Sequence, residues 1–341
     1  MAGTLDALRP EPHRGDTVAA GAVVLTTAVY VLETRFAHTW GAGIRLFLAA
    51  LAALFVGALA VQSPVEGERP RAYQSVLFVA TFFAALAALT NLADVLGADD
   101  PPNAPGTIVW IGALLVALCA WFATRRNSAV MTLLGAVSFG FVVEAFVAWV
   151  FSPHGPSTFR WILVLLVLGV AIASLGQRGA RPRHAVQMVN AAGLAAVVLG
   201  ITFAIDLVFS GFGAVLGGGP VRHGAGTGWE LFLLACAFGL IAYSAVDREP
   251  GPAYLGVAVL ALFVAIAGPP EGGASLIGWP ILLVIMAGVM LVIGLRPSRP
   301  LPPSPDAGHP EPPPPAPIPV VPPDPPTTPM GGEDPTEVHR P

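Results

Sequence analysis

The segment AYQSVLFVATFFAALAALTNLADVL at residues 72–96 decides the fold class, because it is too long and too apolar for an ordinary soluble helix. Its one charged side chain, Asp94, stands close to its end. A helix that crosses the hydrocarbon core of a bilayer needs about 20 mostly apolar residues. The segment therefore predicts a transmembrane helix, and similar segments recur along the chain.

The composition agrees with a membrane protein. Of the 341 residues, 55% are hydrophobic and 11% are charged, whereas soluble domains carry roughly 25% charged residues. All 17 basic residues are arginines, so the chain lacks the lysine that a Walker A loop or a Schiff base requires. Cys119 and Cys236 form no CxxC pair, so neither a disulfide framework nor a zinc site is predicted. The net charge of −4 gives no basis for a nucleic-acid partner.

Apolar segments between charged residues, prolines and glycines predict ten spans, and so an all-α, polytopic transmembrane bundle built of helical hairpins. The predicted domains are a short cytoplasmic N-terminus at 1–16, a membrane domain at 17–295 and a tail at 296–341. The N-terminus lacks the apolar segment of a signal peptide, so the first span is expected to stay in the mature chain. The ninth span is the shortest. The ten spans are 17–33, 44–62, 72–96, 105–124, 128–151, 158–176, 185–210, 228–246, 252–268 and 275–295.

The arginines predict the orientation of these spans. With ten spans, 13 arginines fall on the side of the two termini, and four fall on the other side. Cytoplasmic loops carry the excess of basic residues, so both termini are predicted to be cytoplasmic and the protein to lie in the cell membrane. Hairpins rich in Ala, Val and Leu with arginine as the only cation resemble multi-pass proteins of GC-rich bacteria, which implies a bacterial membrane. The four arginines on the outer side are Arg35, Arg45, Arg160 and Arg222.

The tail has a different composition from the membrane domain. It holds 19 prolines in the 45 residues from Pro297 onward, including four in a row at 312–315. Such a segment favours polyproline II and cannot bury a core, so it is predicted to be disordered. Its PxxP spacings allow it to bind a protein partner, and an extended cytoplasmic spacer is the alternative.

Carboxylates recur on the helices that run outward. The first four of these helices carry Glu33, Asp94, Glu144 and Asp206, at spacings of 61, 50 and 62 residues. One helical hairpin separates each acid from the next, which indicates a tandem repeat of two-helix hairpins. Small residues also recur every fourth position on three spans, a spacing that lets helices pack closely in lipid. These rows are Ala80, Ala84 and Ala88; Ala113 and Ala117; and Ala192 and Ala196.

These acids are the strongest candidates for a functional site, because ionisable side chains inside a membrane are expensive. We hypothesise a polar cavity that opens on the extracytoplasmic side. For Glu33 and Asp94, interfacial solvation is the alternative. For Glu144 and Asp206, the alternative is an architectural ion pair with Arg45 or Arg160, whose helices begin on the same side. The residues assigned to the cavity are Glu144, Asp206, Asp94, Glu33, Asn91, Arg45 and Arg160.

Other motifs do not predict a site. The glycine-rich segment 211–228 is expected to be an outer loop between two spans, and a nucleotide fingerprint requires a strand before it and a helix after it. His38, His154 and His223 fall in outer loops without the spacing of a metal site. No catalytic residue, cofactor or metal is therefore assigned.

Three classes of function remain open. The first is transport of a small solute, whose identity the sequence does not indicate, through the acidic cavity. The alternative is a non-catalytic scaffold or sensor that acts through its helices and its Pro-rich tail. An intramembrane enzyme is less well supported, because the spans contain no paired nucleophile and base. The lipid bilayer is the one partner that the composition itself requires.

Overall fold

The computed structural model describes residues 15–36, 38–67, 71–98, 100–153, 155–217 and 225–267, together with residues 281, 284, 285 and 288. The continuous ranges fold into α-helices joined by short loops, and no strand occurs in them. The helices are α1 (Gly15–Arg35), α2 (Ala42–Gln62), α3 (Ala72–Val95), α4 (Pro105–Arg125), α5 (Ala129–Phe151), α6 (Ser157–Gln177), α7 (Pro182–Gly217), α8 (Thr227–Asp247) and α9 (Pro250–Ile266).

The predicted all-α membrane bundle is confirmed, with a smaller number of spans. Helices α1 to α8 are each long and apolar enough to cross a bilayer. The ninth predicted span forms α9, which has 17 residues and is shorter than a full crossing. The predicted tenth span, 275–295, lies outside the described residues apart from four positions, and so do the tail and residues 1–14.

Local sequence explains where several helices begin and end. Pro105 opens α4, where its missing N–H is not needed, and Arg125 stands in the last turn beside the partial negative charge of the helix end. Helix α5 ends at Ser152, whose backbone is left-handed with φ of 44°. A residue in this conformation cannot continue the helix. At the other end of α5, the loop that joins it to α4 has only three residues, Arg126, Asn127 and Ser128.

Helix α7 differs from the prediction at its end. It has 36 residues and continues to Gly217, so the first seven residues of the predicted loop 211–228 are helical. The segment GFGAVLG places apolar residues between its glycines, and a glycine inside a helix costs only about 1 kcal/mol relative to alanine. The prediction gave the glycines too much weight as helix breakers. Residues 218–224 of that loop lie outside the described part of the chain.

The helices pair as hairpins, as the hairpin plan predicts. The most extensive packing is between α2 and α3, α4 and α5, α6 and α7, and α8 and α9. Helix α1 packs on α3, α5 packs on α7, and α7 packs on α9, so the odd-numbered helices connect one hairpin to the next. By contrast, α5 and α6 contact each other only slightly although they are consecutive.

Two large hydrophobic cores result from this arrangement, together with a small cluster of Val29, Ala49, Ala52 and Ala87 between α1, α2 and α3. The first is formed by α1 to α5 and contains the tilted ring pair Phe78 and Phe122, whose centroids are 5.2 Å apart. The second is formed by α6 to α9 around Leu199, Leu233 and Phe263. Both cores belong to the same compact unit of the chain.

The predicted small-residue rows divide between the interior and the lipid face. On α3, Ala80 and Ala84 are buried, and on α7, Ala192 and Ala196 are buried. The row on α4, Ala113 and Ala117, is exposed instead. Close approach of α4 to α5 depends on Gly112, which faces Val142.

Gly256 on α9 gives a test of the α8–α9 packing. A Cβ at this position would lie 2.8 Å from the backbone oxygen of Ala237 and 2.8 Å from Cγ1 of Ile241. We expect Gly256→Ala to lower the free energy of unfolding by about 1–3 kcal/mol, because the two helices must move apart. Gly239→Ala on α8 is the matched control, since nothing lies within 4 Å of a Cβ there. Denaturation in detergent micelles measures both, and equal stability of the two variants would contradict the packing.

Candidate functional site

Four of the predicted site residues form a cluster where α1 and α3 end and α2 begins. Arg45, in the first turn of α2, donates to Asp94 near the end of α3 at 2.5 Å. Asn91, one turn before Asp94, donates to Glu33 of α1 at 2.6 Å and is itself buried. Arg45 also interacts electrostatically with Glu33. Both carboxylates in this cluster therefore have a partner within the protein.

A second ion pair joins α6 to α7 in the same way. Arg160, in the first turn of α6, pairs with Asp206 and is only 7% exposed. Its guanidinium also donates to the Thr202 hydroxyl at 3.1 Å and to the Thr202 carbonyl at 3.0 Å, and it lies 3.9 Å from the centroid of the Phe203 ring. These contacts use most of its donors and one face of its guanidinium. Together with Trp229, the pair borders a cavity of about 140 Å³.

The two ion pairs occupy matching positions in the sequence. Arg45 and Arg160 are each the fourth residue of a 21-residue helix that ends in glutamine. Each paired aspartate follows a threonine by four residues, as Thr90-x-x-x-Asp94 and Thr202-x-x-x-Asp206. Glu33 precedes Glu144 by 111 residues, and Asp94 precedes Asp206 by 112 residues. The repeat that this matching indicates therefore spans two hairpins, one more than the hairpin repeat predicted from the sequence.

We call the end of the bundle that holds these two ion pairs the acid end. Helices α2, α6 and α8 begin there and α1 and α3 end there, while α7 continues past Asp206 to Gly217. The opposite end, named here the Glu66 end, holds the loops that follow α2, α4 and α6. The four carboxylates of the sequence hypothesis are all on helices that run toward the acid end.

Glu144 differs from the other three acids. Its Oε1 is buried and has no hydrogen-bond partner among the described residues. It borders a cavity of about 80 Å³ between α5, α6 and α7. Apart from Glu144, the side chains that line this cavity are apolar, and they include Phe141, Leu163, Leu166 and Val198. An uncompensated carboxylate in such surroundings is costly, so it calls for a positively charged or hydrogen-bonding occupant.

A larger cavity of about 580 Å³ adjoins the cavity of Glu144. The two share Ala136, Leu166 and Val170 in their linings. The larger cavity is lined by α4, α5, α6 and α7, so it lies between the two hydrophobic cores. Its walls are mostly apolar in the middle of the bundle and become polar at the Glu66 end, where Gln177, Arg181 and His184 line it. The two cavities together extend from the Glu66 end to Glu144.

The structure therefore divides the seven predicted site residues into three groups. Glu33, Asn91, Arg45 and Asp94 form one cluster, Arg160 and Asp206 form a pair, and Glu144 borders a cavity different from that of Asp206. The ion pair that we considered as the alternative for the deeper acids is present for Asp206. For Glu144 no ion pair is present among the described residues.

Sequence analysis missed a buried acid at the other end of the bundle. Glu66, in the loop between α2 and α3, is 2% exposed. Its carboxylate accepts from the Ser128 hydroxyl at 3.2 Å and the Ala129 backbone N–H at 3.4 Å, and it pairs with Arg183 at 2.9 Å. It thus caps the start of α5 and joins three hairpins. The segment PVEGERP around it has the composition of an ordinary polar loop, so no sequence signal marked it.

His184, next to Arg183, is a second missed residue. It is buried, and its ring lies between Asn127 and Thr132. Nε2 is 3.1 Å from the Asn127 side-chain oxygen, which can only accept, so Nε2 carries the proton. Nδ1 is then the acceptor for the Thr132 hydroxyl at 2.5 Å. The histidine therefore has a fixed tautomer at the polar end of the larger cavity.

Among the described residues, no group of three or more His, Cys, Asp or Glu side chains is placed to hold a metal ion. His154 and His223 lie outside those residues. Comparison of the chain with protein-family models, with curated proteins and with solved structures gave no match. The function must therefore be argued from the geometry of the bundle alone.

Proposed function

We propose that the protein transports a small solute through the cavities between α4, α5, α6 and α7, with Glu144 as the residue that holds the solute. The observation that carries this proposal is the buried, unpartnered carboxylate oxygen of Glu144 at the edge of a cavity. An ionisable group of this kind inside a membrane is expensive to retain and marks a functional site by default. A purely structural acid would be expected to have a partner, as Asp94 and Asp206 do.

The position of the cavities also supports transport. They lie between the core of α1 to α5 and the core of α6 to α9. A change in the distance between these two groups of helices alters access to the cavities without disrupting either core. Helices α5 and α6 border this region and contact each other only slightly. Gly135, Gly140 and Gly169 line the cavities, and nothing lies within 4 Å of a Cβ added at Gly169.

We propose further that the acid end faces outward and that the Glu66 end is cytoplasmic. The distribution of the arginines supports this orientation. The orientation is tested by single cysteines at Thr39, at the acid end, and at Gly179, at the Glu66 end, in a chain whose Cys119 and Cys236 are replaced by alanine. A membrane-impermeant thiol reagent should label Thr39→Cys in intact cells. It should label Gly179→Cys only after permeabilisation, and the reverse pattern would overturn the orientation.

Transport itself is tested by the accessibility of Ala136, which lines both cavities. In the same cysteine-free chain, we expect Ala136→Cys to react with a charged, impermeant thiol reagent added to either side of a sealed vesicle. The reason is that a transporter exposes its pathway to each side in turn. Leu54→Cys is the control, because Leu54 is 73% exposed on α2 and faces lipid, where a thiol stays protonated and unreactive.

The outcome separates a transporter from a scaffold. Reaction of Ala136→Cys from both sides supports transport. If Ala136→Cys is as unreactive as Leu54→Cys from both sides, the cavities are closed to water and the proposal fails. A scaffold with a static cavity would react only from the side on which the cavity opens, or from neither side if the cavity excludes water, and either result overturns the proposal.

A further inference from the structure

We propose that the cavity of Glu144 binds a small lipophilic amine, with the ammonium group on the Glu144 carboxylate and the apolar body in the larger cavity. This inference rests on the proposed function, and it names the class of solute. Three features of the protein support this proposal: the charges near Glu144, the chemistry of the cavity walls, and the difference between Glu144 and Glu33.

The charges around Glu144 favour a cationic ligand. The described arginines at the acid end are engaged elsewhere or distant in the fold, since Arg45 pairs with Asp94, Arg160 pairs with Asp206, and Arg35 is exposed at the end of α1, which packs on α2 and α3. Arg160 is further fixed by Thr202 and by the Phe203 ring. No described cation is therefore available to Glu144, and a buried carboxylate without a counter-charge is strongly disfavoured. A positively charged ligand supplies that counter-charge.

The lining of the Glu144 cavity excludes inorganic cations as the ligand. Sodium, magnesium and calcium need several oxygen ligands to replace their hydration shells. Beside Glu144, the side chains that line the 80 Å³ cavity are those of alanine, valine, leucine and phenylalanine, and none of these offers an oxygen. An organic ammonium is bound more easily, because one carboxylate and an aromatic face satisfy it. Phe141, which is one helical turn from Glu144, contributes an aromatic ring to the same lining.

The larger cavity fits the apolar body of such a ligand. The cavity of about 580 Å³ that adjoins the Glu144 cavity has the size of small-molecule sites and is walled mainly by Ala, Val, Leu, Met and Phe side chains. Phe139 and Leu165 line it and are also exposed on the outside of the bundle, at 47% and 66%. The larger cavity therefore reaches the lipid-facing surface between α5 and α6. An apolar body fits these walls, whereas a sugar or an amino acid would leave its polar groups unpaired.

Glu33 is the counterpart of Glu144 in the first half of the chain, and unlike Glu144 it has a hydrogen-bond partner. In the repeat, Glu33 and Asn91 of the first half correspond to Glu144 and Phe203 of the second half. Asn91 donates to Glu33, but phenylalanine cannot donate, so the second half lacks the amide that satisfies the acid of the first. Glu33 is therefore a matched control, being an acid of the same type at the equivalent position with its partner in place.

The experiment is calorimetric titration of the purified full-length protein in detergent with three probes that share one rigid apolar body. These are 1-adamantylamine, which is cationic at pH 7, neutral 1-adamantanol and anionic adamantane-1-carboxylate. We expect the amine to bind at one site, the alcohol to bind at least tenfold more weakly and the carboxylate not to bind. Glu144→Gln should weaken amine binding at least tenfold, Glu144→Asp should retain part of it, and Glu33→Gln should leave it unchanged.

Several results would overturn the proposal. They are equal binding of the amine and the alcohol, no binding of the amine, or amine binding by Glu144→Gln that equals that of the parent. If Glu144→Gln does not fold, Ala195→Leu replaces it, because it fills the same cavity without changing the charge and should also abolish binding. Failure of amine binding together with two-sided labelling of Ala136→Cys means that a different solute is transported. Failure of both means that the proposed function is wrong as well.

Discussion

Replacement of Arg160 by methionine is expected to lower the free energy of unfolding by about 1.5–3 kcal/mol, because Arg160 is buried and its hydrogen bonds to Thr202 come from a charged donor, whereas the Asp206 side chain is 36% exposed. Methionine fills a similar volume but leaves the Asp206 carboxylate without its cation. It also removes the donors to the Thr202 hydroxyl and carbonyl and the stacking on Phe203. Denaturation in detergent micelles, followed by tryptophan fluorescence, measures the change.

Arg45→Met is the matched control for this prediction. It breaks the equivalent pair in the first half, but the Arg45 and Asp94 side chains are 22% and 34% exposed, so water screens their charges. We expect a cost of only about 1 kcal/mol, as for other exposed ion pairs. The double variant Arg160→Met with Asp206→Leu should recover only part of the loss, because it removes the unpaired charge but does not restore the donors to Thr202. Equal costs for the two single variants would contradict the difference in burial between Arg160 and Arg45, whose side chains are 9% and 22% exposed.

Glu66→Ala is expected to cost about 3–5 kcal/mol, the other large effect on stability. The substitution leaves Arg183 without its carboxylate and removes the cap of the Ser128 hydroxyl and the Ala129 N–H. These groups lie where the loops of three hairpins meet, and Glu66 is buried among them. The loss of the carboxylate should therefore loosen the attachment of α7 to the first core.

Asp247→Asn is the control for Glu66→Ala at the same end of the bundle. Asp247 pairs with Arg178, whose side chain is 44% exposed, so the pair should contribute at most about 1 kcal/mol. Thermal unfolding of the two variants in detergent distinguishes them. A melting temperature of Glu66→Ala as high as that of Asp247→Asn would show that the Glu66 junction does not hold the hairpins together.

The helices were predictable from the sequence because span formation depends on local hydropathy. The predicted span 105–124 is α4, Pro105–Arg125, and the predicted span 128–151 is α5, Ala129–Phe151. The ion pairs were less predictable, because they depend on which helices pack together. An ion pair of Asp206 with an arginine was one of two alternatives from the sequence, whereas the pairing of Asp94 with Arg45 was not considered. The matching Thr-x-x-x-Asp segments were the signal that could have indicated both.

The buried polar residues at the Glu66 end could not be predicted for a different reason. Glu66 and His184 stand close to arginines and prolines, in segments that hydropathy assigns to the water interface. Their burial results from three loops that meet at one place, and one-dimensional patterns carry no information about such meetings. Glu144, in contrast, was recognisable from the sequence as an acid deep in a span. Its lack of a partner became visible only with the positions of the two arginines.

The two ends of the bundle are held together in different ways. At the acid end, both ion pairs join two helices of one hairpin, Arg45 to Asp94 and Arg160 to Asp206. At the Glu66 end, the polar contacts join separate hairpins, as in the bonds from Arg183 to Glu66 and from His184 to Asn127. Polar side chains therefore join separate hairpins at the Glu66 end, in addition to the packing of α5 on α7 and of α7 on α9. Loss of the contacts at the Glu66 end is therefore expected to separate hairpins from one another, whereas loss of either ion pair at the acid end acts within a single hairpin.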